Sequence, residues 1–284
     1  MKQIRSISHL ALATFVVVPA CEKPAAEGMD PPPQVEEVLL VEREHTSEAL
    51  AAAFPLFPLV EKQRWGKLLD LEGEWGEASE EARVRLAEEI NALGDELAVR
   101  YPFSADSEGM RLGGIRYTRE TGEIEIPAAV HYPKQDQEGK EYELEVVLCN
   151  ERGRVHETLL LTDVRPLHLE LMLHLIGHKK KATQYRLSIR LPDEPSIPLV
   201  RLLSSTSGEA LPEPLAFTFS GSAFGESYGP DTTGDLIITW HVHDAVLQAR
   251  DEGIAQARTR LLVKRDPRLE EGMAVRLVLE PTDE

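Results

Sequence analysis

Glu157, His156 and Cys149 are the residues whose types and spacing could do chemistry. Two alternating runs, Tyr142 to Leu148 and Val155 to Thr162, flank turn-forming residues from Asn150 to Gly153. Read as an antiparallel hairpin with a four-residue loop, they set Leu148 opposite Val155 and Val146 opposite Glu157. Glu157 then stands on an otherwise apolar face. A carboxylate there must be paired, hydrogen-bonded or protonated. It is either a site carboxylate with a perturbed pKa or a structural one capped by backbone or an arginine. Cys149 and His156 fall on the opposite face as diagonal neighbours, about 7–8 Å apart, a gap that a metal or a rotamer change could bridge. A cysteine–histidine nucleophile pair also needs an oxyanion site and an orienting group, which the sequence does not display. Hydrolysis by buried carboxylates would require a second carboxylate beside Glu157.

His241-x-His243 places two imidazoles on one side of a strand. Two histidines do not make a zinc site, so a further ligand, with His156 among the candidates, would have to come from elsewhere. Asp231 to Asp235 reads Asp-Thr-Thr-Gly-Asp. It lacks the spacing and terminal Glu of an EF-hand and suits a turn between strands. No dinucleotide fingerprint, phosphate loop, zincin helix or nucleophile elbow is present.

The elements that must position these residues form two regions. From 45 to 103 the pattern is helical, broken early by Pro55 and Pro58. Its best helix starts at Ser79, a good N-cap followed by Glu80 and Glu81. Ala82, Leu86, Ile90, Leu93 and Leu97 recur at helical spacing, and Pro102 stops it. From 104 to 284 strands dominate: Glu123 to Ile126 alternates, and further strands are expected at Tyr185–Arg190, Leu215–Phe219, Leu236–Val242, Arg260–Val263 and Ala274–Leu279. Between them Pro166 can open a helix that is apolar on most sides and that Gly177 ends. The expected fold class is α+β: an N-terminal helical segment, then a mainly antiparallel β domain with one packed helix.

The N-terminus speaks of location. Lys2 and Arg5 precede an apolar stretch from Leu10 to Val18, too short for a stable membrane span. Val18-Pro19-Ala20-Cys21 then places a small residue before a cysteine, as at a signal-peptide cleavage site. This tetrapeptide resembles the lipobox of bacterial lipoproteins, which implies a signal peptide over 1–20 and a lipid on Cys21. Several acyl chains together anchor firmly, at about 0.8 kcal/mol per buried CH2. Residues 21–44, with Pro24, Pro31, Pro32 and Pro33 among acidic residues, read as a spacer. Glu22 rather than aspartate after the cysteine favours sorting to the outer membrane. The 284 residues carry a net charge of −18, which argues against a nucleic-acid partner. With only 2 cysteines, a disulfide framework and a four-thiolate metal site are excluded.

Three blocks carry a family resemblance. Leu144 to Cys149 leads into Gly153-Arg154-Val155-His156-Glu157-Thr158. Thr162-Asp163-Val164-Arg165-Pro166 precedes an apolar helix ending in Gly177. Phe217 to Ser222 is followed by Gly234-Asp235-Leu236-Ile237. From about 114 to 280 this resembles the YdjY-like domain of bacterial envelope proteins. That family has no settled activity to carry over. Some members bear a ferredoxin-like label, but once Cys21 is acylated this chain has only Cys149 as a thiol.

The reading is a lipid-anchored envelope protein that binds a partner protein or small ligand, with no catalytic set and no cofactor expected. Candidate functional residues are His156, Glu157, Asp163 and Asp235. The alternative is a metal-binding or redox-linked protein using His156, Glu157 and Cys149.

Overall fold

The computed structural model describes residues 13–15, 40–42, 63–64, 66–67, 70–71, 74, 77–133, 143–192, 194–222, 228–240, 244–256 and 258–282. The chain divides into two compact units, residues 1–52 with 63–100, and residues 53–62 with 101–284. In the first, β1 (Ala13–Phe15) pairs antiparallel with β2 (Leu40–Glu42), and α1 spans Glu80–Arg100. Ser79 carbonyl accepts the Arg83 N–H at 2.9 Å at the start of α1.

The second unit is a closed β-barrel. In chain order its elements begin with β3 (Phe103–Ala105), β4 (Gly109–Leu112), β5 (Ile115–Thr118), β6 (Ile124–Val130), β7 (Val146–Cys149) and β8 (Thr158–Leu161). Then come α2 (Pro166–Leu175), β9 (Gln184–Arg190), β10 (Ile197–Pro198), β11 (Leu203–Ser205) and β12 (Ala216–Phe219). Last are α3 (Gly229–Thr233), β13 (Asp235–Ile238), β14 (Leu247–Ala249), α4 (Glu252–Ala255), β15 (Leu261–Val263) and β16 (Ala274–Thr282). The ring runs β9-β12-β14-β13-β7-β8-β6-β16 and returns to β9, because β16 pairs with both β6 and β9. The β13–β14 and β7–β8 pairs are parallel and the rest are antiparallel. A β5-β4-β3 meander extends from β6, and β11 pairs with β15 apart from the ring.

Alternation in the sequence explains the filled interior. Leu277 stands opposite Ile126 and Ile189, and Leu279 opposite Ile124 and Leu187. Phe217 faces Tyr185 and Ala249, and Leu160 faces Val130 and Leu148. All of these are buried. Eight strands leave an interior that side chains alone can fill. Each such side chain contributes about 1.5–3 kcal/mol on burial. Some intervening positions point outward: Glu125 pairs there with Arg190, which also meets Glu123 at 3.1 Å.

Two turns follow local chemistry. Gly113 and Gly114, at φ +56° and +90°, form the two-residue link between β4 and β5. That geometry belongs to a primed hairpin turn and favours glycine. At the end of α2, His178 N–H donates to Leu173 carbonyl (2.9 Å) and Gly177 N–H to His174 carbonyl (3.0 Å). With Gly177 at φ +82° this is a Schellman motif. The helix start has no cap from its own side chains. Instead the Asp231 carboxylate accepts the Leu167 N–H at 2.9 Å and holds Arg165.

The α+β expectation is corrected. The chain is mainly β, built on a closed eight-stranded barrel with extra strands. Strand periodicity reports which face is buried but not whether a sheet closes on itself. The N-terminal helical segment expected over 45–103 is not shown as a segment, because residues 45–62 lie outside the described residues. The hairpin is corrected too: β7 and β8 are parallel, with Val146 opposite Thr158 and Leu148 opposite Leu160. The turn at Asn150 does form, Gly153 N–H donating to Asn150 carbonyl at 2.9 Å. A 3-10 turn over Val155–Glu157 then brings the chain back to the start of β7 before β8 begins. Glu145 N–H donates to Glu157 carbonyl at 3.2 Å and marks that return.

Candidate functional site

The returning connection, residues 150–157, gathers charged groups along β7, from Asp235 opposite Cys149 to Glu145 just before Val146. Arg154 is their centre. Its Nη1 donates to Glu145 Oε2 at 2.6 Å and its Nε to Asp235 Oδ2 at 3.1 Å, while its backbone N–H donates to Asp235 Oδ1 at 3.3 Å. Asp235 opens β13 and is 4% exposed, so it acts as a buried post to which the connection is tied. Glu157 hydrogen-bonds Glu145, and His156 Nε2 lies 3.5 Å from Glu157 Oε1 with its ring half-exposed.

Burial raises the Glu145 carboxyl to about 7; the Glu157 charge and hydrogen bond add to the rise, and Arg154 partly offsets it. Two carboxyl groups in contact cannot both ionise cheaply. Because the folded pKa of Glu145 lies above its ordinary 4.5, stability from this pair is present below that value and lost as pH rises through about 7. We expect the melting temperature to fall across this window in wild type and to flatten in Glu145→Gln. Equal slopes in both proteins, followed by thermal unfolding at fixed ionic strength, would remove Glu145 from the linkage.

Cys149 is fully buried on β7 beneath the connection, packed with Val146, Ile238 and Ala245 and covered by Val155. Burial pushes its thiol up to about 11. A thiol so held is a poor nucleophile and metal ligand. Asp163 is exposed at the bend before α2 and has no hydrogen bond or ion pair with the cluster. His241 and His243 lie outside the described residues, as does Cys21. Among the described residues no three His, Cys, Asp or Glu side chains converge as a metal site would require.

Beside the cluster lies a cleft of about 200 Å³ lined by Glu143, Leu144, Glu145, Thr239, Trp240, Ile254, Thr259, Arg260 and Leu261. Its walls are tied by backbone: Thr239 Oγ1 donates to Leu144 carbonyl at 2.8 Å, and Leu144 N–H to Leu261 carbonyl at 2.8 Å. Trp240 is 39% exposed on one wall. Arg260 Nη1 donates to both Glu143 oxygens at 2.9 Å on the rim. A larger groove of about 650 Å³ runs past Gln184, Pro212, Pro214 and Arg250. It is open, and its guanidinium is already bonded to Gln184 Oε1 at 2.6 Å. The smaller cleft, where an exposed aromatic meets Glu145 with its raised carboxyl pKa, is the better candidate.

The structure therefore brings Glu157, His156 and Asp235 into one cluster and leaves Asp163 outside it. Sequence reasoning missed Glu145, Arg154, Trp240 and Arg260. Glu145 sits in an alternating run and reads as a solvent-facing strand residue; only the parallel return of the chain places Glu157 on it. The second carboxylate that hydrolysis would need is now supplied, but in direct contact with the first. Carboxyls that flank a scissile glycosidic bond stand about 5 Å or more apart, so this pair leaves no room for a sugar between them. No family model, no curated protein and no solved structure matches this chain.

Proposed function

We propose that this chain is a non-enzymatic binding module of the bacterial envelope, tethered by a lipid on Cys21 and presenting the Trp240 cleft to a partner. The cleft is the observation that carries this reading. The barrel interior is filled by its own side chains, so a ligand must be met at the surface. There the half-exposed indole adjoins carboxylates, and aromatic residues of that kind dominate binding hot spots. The buried, high-pKa Cys149 gives no support to a redox role. The lipobox-like Val18 to Cys21, the Pro-rich spacer and the resemblance to YdjY-like envelope domains support the location.

Intact mass of the protein from its native membrane tests the tether. The expected chain begins at Cys21 and carries acyl groups, and Cys21→Ser is unmodified and soluble. An unmodified wild-type chain would overturn the anchor. Crosslinking in intact envelopes tests the cleft: a specific adduct formed by wild type should be lost in Trp240→Asp, and an adduct unchanged by that substitution would overturn the cleft as the binding surface.

A further inference from the structure

Resting on the binding-module reading, we propose that the cleft takes a singly charged organic cation, an alkylammonium or guanidinium group, seated between Trp240 and Glu145. Three independent features of the cavity point to it. Its aromatic wall is an indole, the side chain whose face attracts cations most strongly. Its rim already holds a cation: the Arg260 guanidinium rests on Glu143 in a two-contact arrangement while its own side chain is 57% exposed. A surface ion pair of this kind is weak and readily exchanged. A ligand cation can therefore take the place that Arg260 now occupies.

The third feature is charge balance. Among the described residues, Glu143, Glu145, Glu157 and Asp235 are served by two guanidiniums, Arg154 and Arg260, with His156 as a half-exposed neighbour of Glu157. Glu145 also stands against Glu157, and burial together with the Glu157 charge raises the Glu145 carboxyl to about 7. A cation entering the cleft favours the ionised form of Glu145 and so releases its proton. The cleft volume of about 200 Å³ suits the end of a lysine or arginine side chain, or a small free amine, rather than a folded segment.

The test is calorimetric titration of the mature chain carrying Cys21→Ser. The probes are the N-acetyl methylamides of lysine and arginine, methylammonium chloride as the free amine, and the N-acetyl methylamide of norleucine as the neutral isostere. The lysine and arginine probes should saturate the site, release a proton and bind about tenfold more tightly at pH 8 than at pH 5.5. The norleucine probe should not bind. Methylammonium matching the lysine probe would assign a free amine as the source; much weaker methylammonium would assign a peptide side chain. Trp240→Leu, at a part-exposed position that tolerates change, should weaken the cations about fivefold. Glu145→Gln should remove the pH dependence, and Arg260→Gln should tighten binding by freeing Glu143. Equal binding of norleucine, no cation binding at millimolar concentration, or cation affinity unmoved by all three substitutions would overturn the assignment. If the cations fail while Trp240→Asp still loses the envelope adduct, the cation assignment falls and the binding module stands.

Discussion

Lys180→Met is expected to lower the stability of the barrel unit by about 3–5 kcal/mol, because it strands a carboxylate in the core. Glu170 lies on α2 and is completely buried. Its Oε1 meets Lys180 Nζ at 2.6 Å and His174 Nε2 at 3.6 Å. Its Oε2 accepts the Tyr228 hydroxyl and, at 3.2 Å, the Ser222 N–H. Burial raises the Glu170 pKa, but the hydrogen bonds from His174, Lys180 and Tyr228 outweigh it and hold the carboxyl below its usual value. The pair therefore contributes stability above the ordinary carboxylate pKa, and that stability is lost as pH falls. Without Lys180 the charge keeps only the longer His174 contact and the Tyr228 and Ser222 hydrogen bonds, and the site must either carry it on these or take up a proton. The double variant Glu170→Leu with Lys180→Met removes both charges and should recover much of the loss, since a buried pair is often replaceable by apolar groups. Denaturant midpoints for the two single variants and the double variant check this. A loss below about 1 kcal/mol in Lys180→Met would mean that the carboxylate is solvated or already neutral.

That network shows where sequence reading stops. Helix α2 was legible: Pro166 opens it, Gly177 closes it, and its apolar residues foretell burial. Glu170, in the middle of a helix apolar on most sides, was the available sign of a buried charge. Its partners Lys180, Ser222 and Tyr228 come from two connections, α2 to β9 and β12 to α3, whose meeting no spacing rule predicts. The strands were legible for a similar reason. Ile124 and Ile126 alternate with Glu123 and Glu125 because one face of the strand lines the core. Closure was not legible, since the same alternation serves an open sheet and a barrel. Nor was the direction of β8. Asn150 to Gly153 carries the residues of a tight turn and makes one, but the few residues after it reverse the chain a second time. Glu157 drew notice in the sequence, but the neighbours expected for it were misassigned. A hairpin would have put Val146 across from it, whereas the parallel return puts Glu145 there.

The double reversal needs a fastening, and its removal gives the second large effect. Asp235→Leu is expected to release the 150–157 connection and cost about 2–4 kcal/mol, through an unpaired buried donor and a guanidinium left with one carboxylate. Asp235 accepts two hydrogen bonds from Arg154, and Asn150 N–H donates to the adjoining Gly234 carbonyl at 2.9 Å. Gly153 lies so close that a Cβ there would stand 2.8 Å from Asp235 Oδ1 and 3.0 Å from Cys149 Sγ. The connection is thus clamped onto β13 and pressed over Cys149. With Cys21 replaced by serine, Cys149 is the single thiol and reports on the clamp directly. In wild type its burial and its pKa of about 11 keep it slow toward a disulfide reagent. If local opening becomes easier by about 2 kcal/mol, labelling in Asp235→Leu should accelerate about thirtyfold at unchanged pH. Gly153→Val should act in the same direction by crowding the Cys149 side chain rather than by losing a charge. Labelling that stays as slow as in wild type in both variants, with the denaturation midpoint unmoved, would show that Val155 and the surrounding apolar contacts hold the connection without Asp235. Faster labelling with the rest of the barrel intact would place the fastening on this one carboxylate, and with it the position of Arg154 and Glu157 beside Glu145.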